Sequence, residues 1–241
     1  DEILPQLRRA RLTANYDVIG RSDEEINEAF DTDAKVLSVE ELLYAATLTN
    51  DNARKEAIYK KTVELYPNDC RAYNNLGMMA YAAGDKAAAE NYFKQALSKN
   101  ANSAEANTNM GLCELVKGNV ANAETYLSKS TGANTANEAL GNLYIKQGQY
   151  DRAVNAFGDT KTNSAALAQI LAKDYNKAKN TLNAVKNPDA YTDYLMAIVG
   201  ARTNNADLVK SSMAKVAQKD ATLAAKAQDD REFAKYANEI K

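Results

Sequence analysis

Residues 73–96 read YNNLGMMAYAAGDKAAAENYFKQA, residues 107–130 read NTNMGLCELVKGNVANAETYLSKS, and residues 137–157 read NEALGNLYIKQGQYDRAVNAF. Laid over one another, they place Gly77, Gly111 and Gly141 in one column and Gly84, Gly118 and Gly148 in a second, seven residues later. Ala89, Ala123 and Ala153 follow, then Phe93, Leu127 and Phe157. A period near 34 residues with small and large side chains at fixed places marks stacked helical hairpins. Such a fold presents a surface rather than an enclosed reaction chamber.

The glycines have a physical reading. Glycine inside a helix costs about 1 kcal/mol against alanine, which is tolerable where no side chain fits between two helices packed roughly 8–10 Å apart. Gly77 is expected to face Ala89 and allow that approach. Gly84 falls where the first helix ends, in the left-handed conformation that glycine adopts without a Cβ clash. Tyr73, Leu76, Tyr81 and Phe93 are expected to fill the spaces within and between hairpins.

Working outward, Ser22-Asp-Glu-Glu25 and Ser38-Val-Glu-Glu41 are capping boxes that open helices expected to run to about Phe30 and Thr49. Residues 52–66 pair with the second of these and stop at Tyr66-Pro67. Expected pairs follow at 70–83 with 86–99, 104–117 with 120–130, 135–147 with 150–157, and 164–172 with 175–185. Asn187-Pro188 reads as an N-cap and first-turn proline of a helix over 188–203, whose mate is 205–218. The charged tail from Asp220 reads as a terminal cap broken near Asp229. Residues 7–19, LRRARLTANYDVI, alternate like a strand and stand apart. The expected architecture is all-α, an α-solenoid of antiparallel helix pairs forming a right-handed superhelix, with a short N-terminal strand segment. Residues 1–34 form the strand and linker helix of a preceding domain, and 35–241 form the repeat domain with its capping helix.

Composition narrows the function. The chain has 241 residues, 30 basic and 32 acidic, with no histidine and no tryptophan. Mixed charges with no basic block argue against nucleic acid as partner, and no apolar run is long enough for membrane insertion. Without histidine, the usual neutral-pH base and commonest metal ligand are gone. Nucleophile-elbow, phosphate-loop, dinucleotide and zinc-protease motifs are missing from the sequence. No catalytic residue, metal ligand or cofactor is therefore expected. Cys70 and Cys113 belong to different repeats, not to a CxxC, and are expected as free thiols packed like small apolar groups, with a disulfide as the lesser alternative.

The repeated phrase resembles the tetratricopeptide repeat. Tyr73, Leu76, Gly77, Ala80, Ala89, Phe93 and Ala96 match that family's motif, with Ala101 where proline is usual. Met110, Gly111, Ala123 and Leu127 match in the next unit, and Leu140, Gly141, Tyr144, Ala153 and Phe157 in the one after. In the unit before, Leu42, Leu43, Tyr59 and Pro67 fall in register. Later units are shorter, with Ala178 and Leu182 fitting a second helix. Residues 7–20 are similar to the last strand of OmpA-like periplasmic domains, which in some Bacteroidetes-type envelope proteins precede such repeats. That resemblance implies a periplasmic or outer-membrane-associated location in a bacterium, with the cytoplasm as the alternative.

The resemblance implies a scaffold that binds a protein or peptide on the face lined by the first helices. By repeat position, Arg71, Asn74, Met78 and Tyr81 point there, followed by Glu105, Thr108, Leu112 and Leu115, then Asn142 and Ile145. Asn75 and Asn109 recur at one place near the groove edge, where an amide can bind a peptide backbone through donor and acceptor or bond to a neighbouring turn. Family members that grip a terminal carboxylate do so with a lysine, asparagine and arginine clamp. Here Arg71 has no converging cations, so that partner is not implied. An architectural spacer or self-association module is the alternative, and a homo-oligomer is compatible with it.

Overall fold

A computed structural model gives the structure of the chain and describes residues 20–238 and Ile240. The strand expected over 7–19 lies outside the described residues. Every element among the described residues is helical. They fall into two compact units, the first ending at Pro67 and the second spanning Asn68–Lys241.

In the first unit, α1 (Asp23–Asp33) leads through a short 3-10 turn (Ala34–Val36) to α2 (Val39–Ala45) and α3 (Asn52–Leu65). Both expected capping boxes are present, Ser22 with Glu25 and Ser38 with Glu41. Ile26, Leu37, Leu42, Ala45, Ala46 and Ile58 bury one core, and Tyr66 Oη donates to the Leu37 carbonyl at 2.6 Å. The boundary expected between residues 34 and 35 falls inside this unit. α2 ends at Ala45 rather than near Thr49.

The second unit stacks five hairpins. They are α4 (Cys70–Ala82) with α5 (Lys86–Lys99), α6 (Ala104–Lys117) with α7 (Val120–Leu127), α8 (Ala136–Lys146) with α9 (Tyr150–Phe157), α10 (Asn163–Leu171) with α11 (Tyr175–Asn183), and α12 (Ala190–Arg202) with α13 (Ala206–Lys219). Each first helix ends in a left-handed residue: Gly84, Gly118, Gly148, Lys173 or Asn204. There the amide of that residue bonds to the carbonyl three back, and the next amide to the carbonyl five back, as in Gly84 N–H to Tyr81 at 3.0 Å and Asp85 N–H to Ala80 at 2.9 Å. These two bonds satisfy carbonyls that a helix end would otherwise leave orphaned. The residue after the turn caps the second helix: Asp85, Asp174 and Asn205 accept from its first turn.

This left-handed residue sets a register that continues past the last recognisable repeat phrase. Seven positions before it stand Gly77, Gly111, Gly141, Ala166 and Ala197, and five after it Ala89, Ala123, Ala153, Ala178 and Val209, all buried. Nine after it come Phe93, Leu127, Phe157, Leu182 and Met213, each no more than 4% exposed. Gly77 faces Phe93 first rather than the expected Ala89, and the alanine column comes close only at Gly111, where a Cβ would lie 3.4 Å from the Ala123 carbonyl oxygen. A Cβ on Gly77 would lie 2.5 Å from Phe93 Cε1, on Gly111 2.5 Å from Leu127 Cγ, and on Gly141 2.5 Å from Phe157 Cε2. The large side chain lies across the glycine, and the alanine lets the second helix come near enough to place it there. Tyr73, Leu76 and Phe93 fill the interior as expected, whereas Tyr81 stays 41% exposed.

The period varies because the second helices do: α5 has 14 residues, α7 and α9 have 8. α12 does not begin at Asn187-Pro188. Asp189 takes the N-cap instead, its carboxylate accepting from the Thr192 amide at 2.8 Å while Thr192 Oγ1 accepts from the Asp189 amide at 3.1 Å. After α13, α14 (Ala221–Gln228) stops at Asp229, as expected, and a 3-10 helix (Arg231–Tyr236) returns toward α12. Phe233, Tyr236 and Ile240 close the core formed with Ala197, Val209, Met213 and Val216.

Candidate functional site

The first helices of hairpins one to three, α4, α6 and α8, share an open groove of ≈ 390 Å³. The register builds it. Met78, Leu112 and Asn142 stand six positions before the left-handed residue, Tyr81 and Leu115 three before, and Val116 and Lys146 two before. Phe93 and Cys113 form its floor, and Asn109 joins the lining. Met78, Tyr81 and Val116 are 48%, 41% and 58% exposed, so three large apolar side chains meet solvent together. Grouped exposure of this kind marks interaction surfaces, whereas scattered exposed apolar residues need no explanation.

Of the residues expected on this face, Met78, Tyr81, Asn109, Leu112, Leu115 and Asn142 come together in the groove. The others go elsewhere. Thr108 is fully buried and donates to the Ala104 carbonyl at 2.8 Å, one turn back in its own helix, so it does not face the opening. Arg71 is exposed but folds back on Asp69, the N-cap of its helix, with Nη2 2.7 Å from Oδ2. Glu105 is exposed at the start of α6, and Ser103 Oγ donates to its carboxylate at 3.4 Å. Ile145 is half-buried against the core of Ala153 and Phe157. Asn74 is 8% exposed and accepts a 2.9 Å hydrogen bond from Asn109 Nδ2, which joins α4 to α6 across the groove's edge. Asn75 is half-buried beside it, outside the lining. The Asn109 amide is thus fixed by a neighbouring first helix, not by a turn.

Val116, Lys146, Cys113 and Phe93 were missed as lining residues. Val116 and Lys146 were findable: both precede the turn glycine by two, a position that the second glycine column already fixed. Asn142 Nδ2 is held by the Glu138 carbonyl at 3.0 Å. Cys70 and Cys113 are both free thiols, as expected. Burial raises the Cys113 thiol above its usual pKa, and the nearby Glu90 charge adds to this, so it contributes bulk rather than a nucleophile.

The opposite side of the same hairpins is braced by charge. The buried Glu114 carboxylate accepts from Lys117 at 2.9 Å, Asn119 at 3.0 Å and Asn122 at 3.1 Å. Lys117 also reaches Glu90 on α5 at 2.6 Å, tying two hairpins together. These donors, Lys117 first, hold Glu114 down at about 2 despite its burial. Among the described residues, no group of three histidine, cysteine or carboxylate side chains is placed to hold a metal. Nor is any helix among them long and apolar enough to cross a membrane.

A tetratricopeptide repeat family model matches residues 74–138 and a second tetratricopeptide repeat model matches 138–160. Among similar solved structures is a tetratricopeptide repeat protein from Parabacteroides merdae, 15% identical over 82% of this chain and 85% of that one, with a TM-score of 0.57. PilW, described as a widely conserved type IV pilus biogenesis factor, is 19% identical over 82% and 97% of the two chains, with a TM-score of 0.61. PilF of Pseudomonas aeruginosa is 13% identical over 90% and 99%, with a TM-score of 0.60. No curated protein matches the sequence. Likeness at these identities carries the fold and nothing further.

Proposed function

From the premise that residues 74–160 are tetratricopeptide repeats, we propose that the chain is a non-catalytic scaffold that holds a protein or peptide partner in the groove of α4, α6 and α8. The observation that carries this reading is the joint exposure of Met78, Tyr81 and Val116 around a ≈ 390 Å³ depression. Burying three such side chains against a partner is favourable by roughly 25 cal/mol per Å² removed from water. The groove has the features of a docking site for one large side chain: apolar walls, amides at Asn109 and Asn142, and a cation at Lys146.

A photo-crosslinking side chain at position 116 tests this in cells. The reading expects a specific adduct from position 116 and none from Thr125, which lies on the braced side. Equal or absent capture at both positions refutes it. The proposal includes an envelope location beside an OmpA-like domain. That part rests on the resemblance of residues 7–20, and fractionation of the source cells checks it: recovery in the cytosol removes it without touching the groove.

A further inference from the structure

The fifth hairpin repeats the groove's register, but there the face is covered. Counting from Asn204, Ile198 stands where Met78 and Leu112 stand, Ala201 where Tyr81 stands, and Arg202 where Val116 and Lys146 stand. The chain's own tail lies on these positions. Tyr194 Oη donates to the Asp230 carboxylate. The Tyr194 ring meets Phe233 edge-on at 5.6 Å between centroids. Arg202 Nε donates to Glu232 Oε2 at 2.6 Å, and its Nη2 pairs with the other carboxylate oxygen. Ile198 and Ala201 pack against the cluster that holds Phe233 and Tyr236. One cation two positions before the left-handed turn therefore takes an acidic side chain, and the neighbouring apolar positions take an aromatic one.

Hairpin three keeps that cation as Lys146, and it is the charged side chain of the open groove's lining. Hairpins one and two keep the apolar positions, and Met78 and Val116 remain exposed there. We propose that the open groove takes a short segment of a partner protein in which a carboxylate adjoins an aromatic residue, seated as the 3-10 tail is seated on the fifth hairpin. Its carboxylate pairs with Lys146, and its ring enters the space among Met78, Leu112 and Val116. This rests on the scaffold reading and adds the chemistry of the partner. A lysine donates as a compact point charge where arginine forks, so the open site is less exacting in geometry than the closed one.

The test uses the full chain and the labelled peptide DDREFAKY, which is residues 229–236, with fluorescence anisotropy as readout. Saturable binding is expected. Lys146→Glu weakens it by about tenfold, the order of one lost charged hydrogen bond, and Lys146→Arg retains it. Met78→Asp weakens it similarly. Should Met78→Asp fail to fold, the Lys146 pair still decides, since that side chain is exposed. A peptide with lysine in place of its three acids, or alanine in place of phenylalanine, binds at least about tenfold more weakly. No saturable binding, equal binding of the charge-swapped peptide, or indifference to Lys146→Glu each overturns the proposal. So does a dimer that the peptide dissociates, which makes a second copy the occupant. If position 116 captures a partner whose contacting segment lacks an acidic–aromatic pair, the scaffold reading stands and this inference falls. If position 116 captures nothing, the scaffold reading falls on its own.

Discussion

Gly141→Ala adds a single methyl group to the third hairpin, and the structure says where it goes. The new Cβ would sit 2.5, 2.6 and 2.8 Å from three atoms of the Phe157 ring, so the ring must retreat by roughly 0.9 Å to reach ordinary contact. Phe157 is 3% exposed and has little room to give. Overpacking of this kind costs about 1–3 kcal/mol, and three close ring atoms place the cost at the upper end. Alanine returns about 1 kcal/mol through helix propensity. The net loss is about 2 kcal/mol, or about 4–8 °C in melting temperature for a chain of this length. Phe157→Leu makes room for the methyl, since hairpin four already carries Ala166 with Leu182 at the same two positions, both buried. The double variant Gly141→Ala/Phe157→Leu is therefore more stable than the sum of the two single changes by about 1 kcal/mol or more. Urea melts followed by far-UV circular dichroism measure all four members of the cycle. Additive changes, or a Gly141→Ala chain as stable as wild type, refute the close approach on which the repeat register is built.

Other perturbations probe separate parts of the account. Glu114 has its pKa depressed to about 2 from 4.5, so its stabilising contribution is complete above pH 4.5 and is lost as pH falls from there toward 2. With Lys117 half in solvent, that contribution is about 1–2 kcal/mol, and Glu114→Gln should flatten the stability–pH curve between pH 4.5 and 2 relative to wild type. Lys173 holds a left-handed conformation with φ of 65°, so Lys173→Gly should raise stability by about 0.5–1 kcal/mol in the same urea assay. Asn204→Gly gains less, because asparagine tolerates that region. Phe233→Ala, at a position that is 0% exposed, should cost about 3–5 kcal/mol and speed amide exchange across α12 and the tail before it affects α4 to α7.

Most of the fold could be read from residues 73–157, because two glycine columns and one column of large residues fixed both the helix ends and the helix contacts. The same register was hidden beyond residue 160. There alanine replaces the packing glycine at Ala166 and Ala197, and Lys173 and Asn204 replace the turn glycine. Backbone hydrogen bonds, not residue identity, keep those turns alike. Capping was legible where the side chain choice was unambiguous, at Ser22 and Ser38. It failed at Asn187, because Asp189 two residues on offers a reciprocal pair with Thr192 that the earlier asparagine cannot match. Six of the ten groove residues were legible from repeat position alone. Thr108 was misplaced because a short hydroxyl side chain can turn back to its own helix and leave the face open. Lys146 was overlooked because a surface lysine looks like any other until Arg202 shows what the same position does.

The scaffold claim meets its most direct test in the affinity of the partner captured from position 116, measured against wild type and Val116→Asp. Val116 is 58% exposed, so the substitution should leave circular dichroism unchanged. A carboxylate desolvated among the apolar walls of the groove, and competing with the partner for Lys146, should weaken binding by about tenfold or more. Unchanged affinity with the fold intact would contradict the account, because the partner would then be held by some other surface.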